Sequence, residues 1–311
     1  MGVESGIIII NLLLSGMKNA IKHSASFPLP PEVKAGQSPR LLQELHILTR
    51  DGKLNQDSRR KLKQVYHLFQ FIEPLLAELS QSGEITLVDH GAGKSYLGFI
   101  LYDLFLKTQP ESFVYGIETR AELVEKSRNL ALALGFERMA FHALAIAESM
   151  TSELLPKSVG MVTALHACDT ATDDAIRFAL ARQAQFVVLI PCCQAEVASA
   201  LRAQKTKALS AGALAELWRH PLHSREFGAH LTNVLRILLL QAHGYQVTVT
   251  ELVGWEHSLK NELIIARYTG NKRGDAQQRA EEIIALCHLE ELRERFVLRV
   301  LRTAIEEPIH G

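Results

Sequence analysis

The sequence predicts an α/β fold: a mostly parallel sheet covered by helices, closed by an antiparallel pair of strands and extended by helices at both ends. Three observations predict it. Short apolar runs at 85–88, 113–117, 161–165 and 186–190 alternate with stretches long enough for helices, such as 121–134 and 172–184. That alternation builds right-handed βαβ units and a parallel sheet. Two later runs, 245–253 and 263–268, leave about nine residues between them, too few for a helical crossover, so they should pair antiparallel. Finally, Gly91 and Gly93 follow the first run at once, where a strand must turn into a helix.

Each segment has its own justification. The apolar stretch 7–14 lacks the basic residues that precede an export signal, so 1–37 reads as a leader and linker, with Met17 an alternative start. Pro28, Pro30 and Pro31 keep that linker from being helical. Over 38–80, Leu41, Leu42, Leu45 and Leu48, then Val65, Leu68, Phe69, Ile72, Leu75 and Leu76, recur at helical spacing. Residues 81–270 carry the strand and helix alternation, with a third strand near 139–142 and a helix over 232–243 ended by Gly244. Residues 271–311 close the chain as a helical extension.

Composition narrows the class. The 34 Lys and Arg balance 34 Asp and Glu, which excludes a polycation that grips nucleic acid over its whole surface but leaves local patches open. Apolar residues at 47% exclude a disordered chain. No apolar run reaches the roughly 18 residues of a membrane span. Four irregularly spaced cysteines do not make a secreted disulfide framework. The expectation is a cytoplasmic protein with no membrane partner.

The residues after the first strand read Asp89-His90-Gly91-Ala92-Gly93-Lys94-Ser95-Tyr96-Leu97. Gly93-Lys94-Ser95 imitates the end of a phosphate-binding P-loop, but Val88 stands where that loop needs a glycine. A dinucleotide fingerprint also fails, since Ser95 or Tyr96 occupies its third glycine position. What fits is an acid at the strand end, Gly91 and Gly93 opening the backbone to a ligand, and Glu118 at the next strand end, where an acid can accept from ribose hydroxyls.

On these residues the sequence resembles the class I S-adenosylmethionine-dependent methyltransferases, with Ser95 in place of the last motif glycine. The resemblance covers 81–270 and implies a Rossmann-like, seven-stranded sheet, mostly parallel with an antiparallel last hairpin. It also implies S-adenosylmethionine as cofactor and S-adenosylhomocysteine as product. Asp89 would lie near the methionine amino group, Gly91 and Gly93 beneath the ligand, Glu118 on the ribose, and Ala145 and Ile146 beside the adenine.

A second constellation closes the fourth and fifth strands: His166, Cys168 and Asp169, then Cys192, Cys193 and Gln194. In an open parallel sheet these tips face the ligand crevice. Three readings stay open. The cysteines could hold zinc, although adjacent Cys192 and Cys193 make awkward co-ligands and no paired spacing occurs, so no metal is expected. A cysteine could act as nucleophile with His166 as its base. Or these residues shape the transfer pocket, with His166 either the base for an acceptor hydroxyl or a contact to the cofactor. The Asn-Pro-Pro-Tyr type of segment that serves amino-group methylation is missing after the fourth strand.

His166, Cys168, Ala171, Thr172, Asp173, Cys192 and Cys193 carry a narrower resemblance, to the tRNA acceptor-stem ribose 2′-O-methyltransferases and related methyltransferase-domain proteins. Gln194 departs from the histidine common in that branch. Lys260 and Asn261 are implied to line the pocket on the substrate side. Basic segments 59–63 and 202–230, the latter with five Lys or Arg against two acids plus His220, His223 and His230, are candidate contacts for an RNA partner. The expected function is methyl transfer to RNA (tRNA or rRNA). The alternatives are a protein or small-molecule acceptor, or a noncatalytic cofactor-binding module.

Overall fold

The structure is a computed structural model that describes residues 28–165, 167, 170–191, 194–203, 216, 219–252 and 262–297. The chain divides into two compact units, 1–59 and 60–311.

In the first unit, Ser38 accepts the amide of Leu41 and Pro39 stands in the first turn, so α1 (Pro39–Glu44) starts where both residues favour a start. Its apolar face, Leu41 and Leu42, is buried. Asn55 accepts the amide of Ser58 and opens α2 (Gln56–Gln81), which continues into the second unit.

The second unit is built on one seven-stranded sheet. Its strands are β1 (Thr86–His90), β2 (Phe113–Glu118), β3 (Met139–Ala143), β4 (Met161–Ala164), β5 (Phe186–Leu189), β6 (Tyr245–Glu251) and β7 (Glu262–Tyr268). Their order is β3-β2-β1-β4-β5-β7-β6. The first five run parallel, and β7 is antiparallel to both β5 and β6. The helices are α3 (Tyr96–Leu104), α4 (Ala121–Leu134), the short α5 (Ile146–Ser149), α6 (Thr170–Ala181), α7 (Ala195–Ala203), α8 (Pro221–Ala242), α9 (Ala276–Leu286) and α10 (Arg293–Phe296). The expected Rossmann-like sheet with its antiparallel last hairpin is the sheet observed.

Two cores hold it. Val88, Val162, Val187, Leu189 and Ile264 of the sheet pack with Ile176 and Phe178 of α6 and Leu239 and Leu240 of α8. Val197, Leu201, Leu235, Leu238, Ile284 and Phe296 form a second cluster among α7 to α10. A Cβ on Gly228 would lie 2.6 Å from the Ala198 backbone, so that glycine lets α8 approach α7 closely.

Two boundaries differ from expectation, each for a physical reason. Strand β1 runs two residues further than 85–88, because Asp89 and His90 pair with β2, and Asp89 also pairs with β4. A carboxylate inside a central strand defeats a reading based on apolar runs. Helix α8 begins at Pro221 rather than near 232, since Pro221 is preset for a first turn while the exposed Leu222, His223 and Arg225 mask the helical period.

Candidate active site

The parallel strands end on one side of the sheet, and the order reverses between β1 and β4, the place where open α/β sheets bind ligands. A cavity of about 710 Å³ opens there. It is lined by the β1 exit (Asp89, Gly91, Ala92, Gly93, Lys94, Tyr96), the β2 exit (Ile117, Glu118, Thr119, Arg120), Leu144 and Ala145 after β3, and Leu165, Ala167, Thr170, Ala171 and Asp174 after β4.

Gly91 and Gly93 both adopt left-handed φ values, +61° and +57°, a conformation that glycine takes without the Cβ penalty. A Cβ on Gly91 would stand 3.1 Å from the Ala167 Cα, so the β1 and β4 exit loops touch at this point. The Gly93 amide donates to Glu118 Oε2 at 2.8 Å. Arg120 donates to both oxygens of the same carboxylate, Nε to Oε1 at 3.0 Å and Nη2 to Oε2 at 3.2 Å. Burial alone would raise the Glu118 pKa, but the Arg120 and Gly93 hydrogen bonds outweigh it and hold the group at about 2. Glu118 is therefore a fixed anion at the β2 tip.

Asp89 is a buried acid at the end of β1, and Thr163 Oγ1 of β4 donates to its Oδ1 at 2.7 Å. Burial pushes its pKa up to about 7, against the hydroxyls of Thr163 and Ser95, which favour the ionised form. Its neighbour His90 is fully buried against the Phe178 ring edge, and burial lowers its pKa to about 3, so it stays neutral.

The raised Asp89 pKa predicts an unusual pH dependence for the cofactor-free protein. The folded carboxyl keeps its proton to about pH 7, whereas an ordinary aspartate has a pKa of 3.8. Between those values the folded state binds more protons than the unfolded state, so stability falls as pH rises. Urea unfolding from about pH 4.5 to 7.5 should show wild type losing ground against Asp89→Asn across this window. A difference that stays constant with pH would contradict the assignment.

Of the other expected residues, Ala145 lines the cavity, and its amide donates to Glu148 Oε2 at 3.0 Å as α5 begins at Ile146. His166, Cys168, Asp169, Cys192, Cys193, Lys260 and Asn261 lie outside the described residues, as do 204–215 and 217–218 of the basic segment 202–230. Ala167 and Thr172 flank the first of these, with the Thr172 hydroxyl donating to the Ala167 carbonyl. The sequence reading passed over Lys94, Tyr96, Arg120 and Asp174, all of which line the cavity. Lys94 and Tyr96 sit inside the motif itself, and Arg120 follows Glu118 by two residues, so position alone could have flagged them.

Residues 60–200 match the family model described as Methyltransf_32, a methyltransferase domain. The match spans the cavity-forming exits of β1 to β4, and the sheet is mostly parallel with the antiparallel last hairpin that the sequence resemblance implied. Residues 60–200 therefore match a methyltransferase domain and lie on a sheet of the Rossmann-like methyltransferase type. No curated protein matches the sequence. Among solved structures, a putative O-methyltransferase from Klebsiella pneumoniae is similar at 13% identity, covering 79% of this chain and 93% of its own, with a TM-score of 0.44. Magnesium protoporphyrin IX methyltransferase from Synechocystis PCC 6803, solved with bound SAH, is 14% identical over 75% of this chain and 96% of its own, with a TM-score of 0.43. A putative caffeoyl-CoA O-methyltransferase from Staphylococcus aureus is 10% identical over 75% and 92%, also at 0.43.

The methyltransferase domain's cavity fits the class cofactor. The buried Asp89 lacks a cationic partner among the described residues, and a cofactor ammonium would supply one. Glu118 is an ionised acceptor suited to a ribose diol, and the glycine turn between them puts no side chain in the way.

Proposed function

We propose that the domain methylates RNA, tRNA or rRNA, at a ribose hydroxyl. The observation that carries this reading is the cavity rim, where the exposed Lys94, Tyr96 and Arg120 line the mouth together. The Lys94 ammonium and the accessible Tyr96 ring suit an acceptor that offers phosphates and a stackable base, while the Arg120 charge is largely met by Glu118. A small apolar acceptor would need neither. The exposed Arg60, Lys61 and Lys63 at the start of α2 add local positive charge to a chain whose net charge is zero. Arg59 adds less, since Glu32 accepts from it at 2.8 Å.

The cofactor supplies a methyl group activated on a positive sulfonium. The protein has to hold the acceptor oxygen about 3 Å from that methyl, exclude water, and take up one proton. His166, which precedes Ala167 in the sequence, has a side chain suited to that proton. The ribose assignment itself rests on the His166 to Asp173 and Cys192-Cys193 pattern of the tRNA acceptor-stem enzymes.

The test is transfer of labelled methyl from S-adenosylmethionine to total RNA of a strain lacking the protein, followed by mass spectrometry of the nucleosides. Label is expected in tRNA or rRNA as a 2′-O-methylated nucleoside. Tyr96→Ala should raise the KM for RNA about 5- to 100-fold, the loss of one base stack, with S-adenosylhomocysteine affinity unchanged. Label in protein or in small molecules but not in RNA would overturn the reading.

A further inference from the structure

A buried polar chain lies past the carboxyl end of β5, the strand next to β4. Gln194 Nε2 donates to Asn233 Oδ1 at 2.6 Å, and Asn233 Nδ2 donates to Glu262 Oε2 at 2.8 Å. Arg236 Nη1 also donates to Asn233 Oδ1, at 3.3 Å, and Arg236 Nε is anchored by Asp173 at 2.6 Å. Gln194, Asn233, Arg236 and Asp173 are all buried. With both partners of its oxygen fixed, the Asn233 amide has one orientation: its NH₂ faces Glu262.

Glu262 opens β7, two residues before Ile264, which pairs with Leu189 near the end of β5. Since β7 is antiparallel, its first residue lies on the same sheet edge as the carboxyl ends of the parallel strands, two strands from β4. The position is a poor one for a carboxylate on folding grounds alone, because Glu262 pairs directly with Glu251 of β6 and like charges opposed across a ladder repel. Among the described residues, Asn233 is the partner of Oε2 and Oε1 has none.

We propose that Glu262 orients the methyl acceptor, its Oε1 accepting a hydrogen bond from an acceptor hydroxyl or amino group, with Asn233 and Gln194 as positioning residues. This rests on the RNA reading above, in which ribose hydroxyls and base amino groups supply such donors. The strand pairing accounts for a residue that extends β7. A carboxylate aimed by an amide whose oxygen is held by two donors serves recognition.

The test reverses the polarity of the pair. In Glu262→Gln, the amide oxygen turns to Asn233 and presents an NH₂ to the acceptor. In Asn233→Asp, two carboxylates face each other and Glu262 swings away. In the double variant Asn233→Asp/Glu262→Gln, the new amide NH₂ donates to the new carboxylate and an oxygen again faces outward. With tRNA from a strain lacking the protein as the acceptor, each single variant is expected to raise KM tenfold or more. S-adenosylhomocysteine affinity should stay within twofold, and the double variant should return KM to within threefold of wild type. Glu262 is only half-buried, so Glu262→Gln keeps the test open should Asn233→Asp fold poorly. An unchanged KM in Glu262→Gln, or a folded double variant no better than the singles, overturns the proposal. A wild type that methylates no RNA overturns the RNA reading and this proposal with it, whereas an active wild type indifferent to Glu262→Gln overturns this proposal alone.

Discussion

Gly91→Val is expected to reduce S-adenosylhomocysteine affinity by at least about 100-fold while the protein stays folded. At φ +61° a β-branched residue is a backbone outlier, and such strain costs on the order of 1–3 kcal/mol. The added Cβ would also stand 3.1 Å from the Ala167 Cα and 3.2 Å from its Cβ. The sequence alone suggested that the new methyls would project into the ligand's path. The structure gives another cause: the β1 exit loop would be driven off the β4 exit loop, and both line the cavity. Calorimetry on wild type and variant, with circular dichroism to confirm the fold, checks this. Equal affinities would remove the glycine turn from the binding site.

Arg236→Ala should be the most destabilising single change in the helical layer, at about 3–5 kcal/mol, because it strands a buried carboxylate. Arg236 is fully buried, and Asp173, its partner at 2.6 Å, is nearly so. Arg295 stands 3.7 Å from the second Asp173 oxygen and compensates only part of the charge. Replacing both partners with apolar residues, Arg236→Met with Asp173→Leu, should cost less than the single change, since no unpaired charge is left. Urea unfolding of the two variants and the wild type checks the order. A single variant within about 1 kcal/mol of wild type would show that the pair contributes little.

This ion pair also shows what the sequence could and could not reveal. Strands built from consecutive apolar residues, such as Phe186–Leu189, declare themselves because both faces are buried. The glycine turn and Glu118 are legible because a ligand-bound backbone allows few residue types at those positions. Arg236 is not legible: it interrupts the apolar face formed by Leu235, Leu238 and Leu239, and its partner lies 63 residues away. The chain from Gln194 through Asn233 to Glu262 likewise joins residues 39 and 29 positions apart, and only strand order and helix docking bring them together. Asp89 was legible as the acid at the strand end, while its burial follows from pairing on both sides of β1. His90 gave no signal, since a histidine beside a glycine turn reads as solvated until Phe178 is seen to cover it.

The central claim is that the β1 and β2 exits bind S-adenosylmethionine through the glycine turn and Glu118. Titration calorimetry with S-adenosylhomocysteine tests it most directly. One binding site per chain is predicted, and Glu118→Ala should weaken it by roughly 1–3 kcal/mol, the value of hydrogen bonds to a charged acceptor. No binding by the wild type, or equal affinity for wild type and Glu118→Ala, would contradict the account.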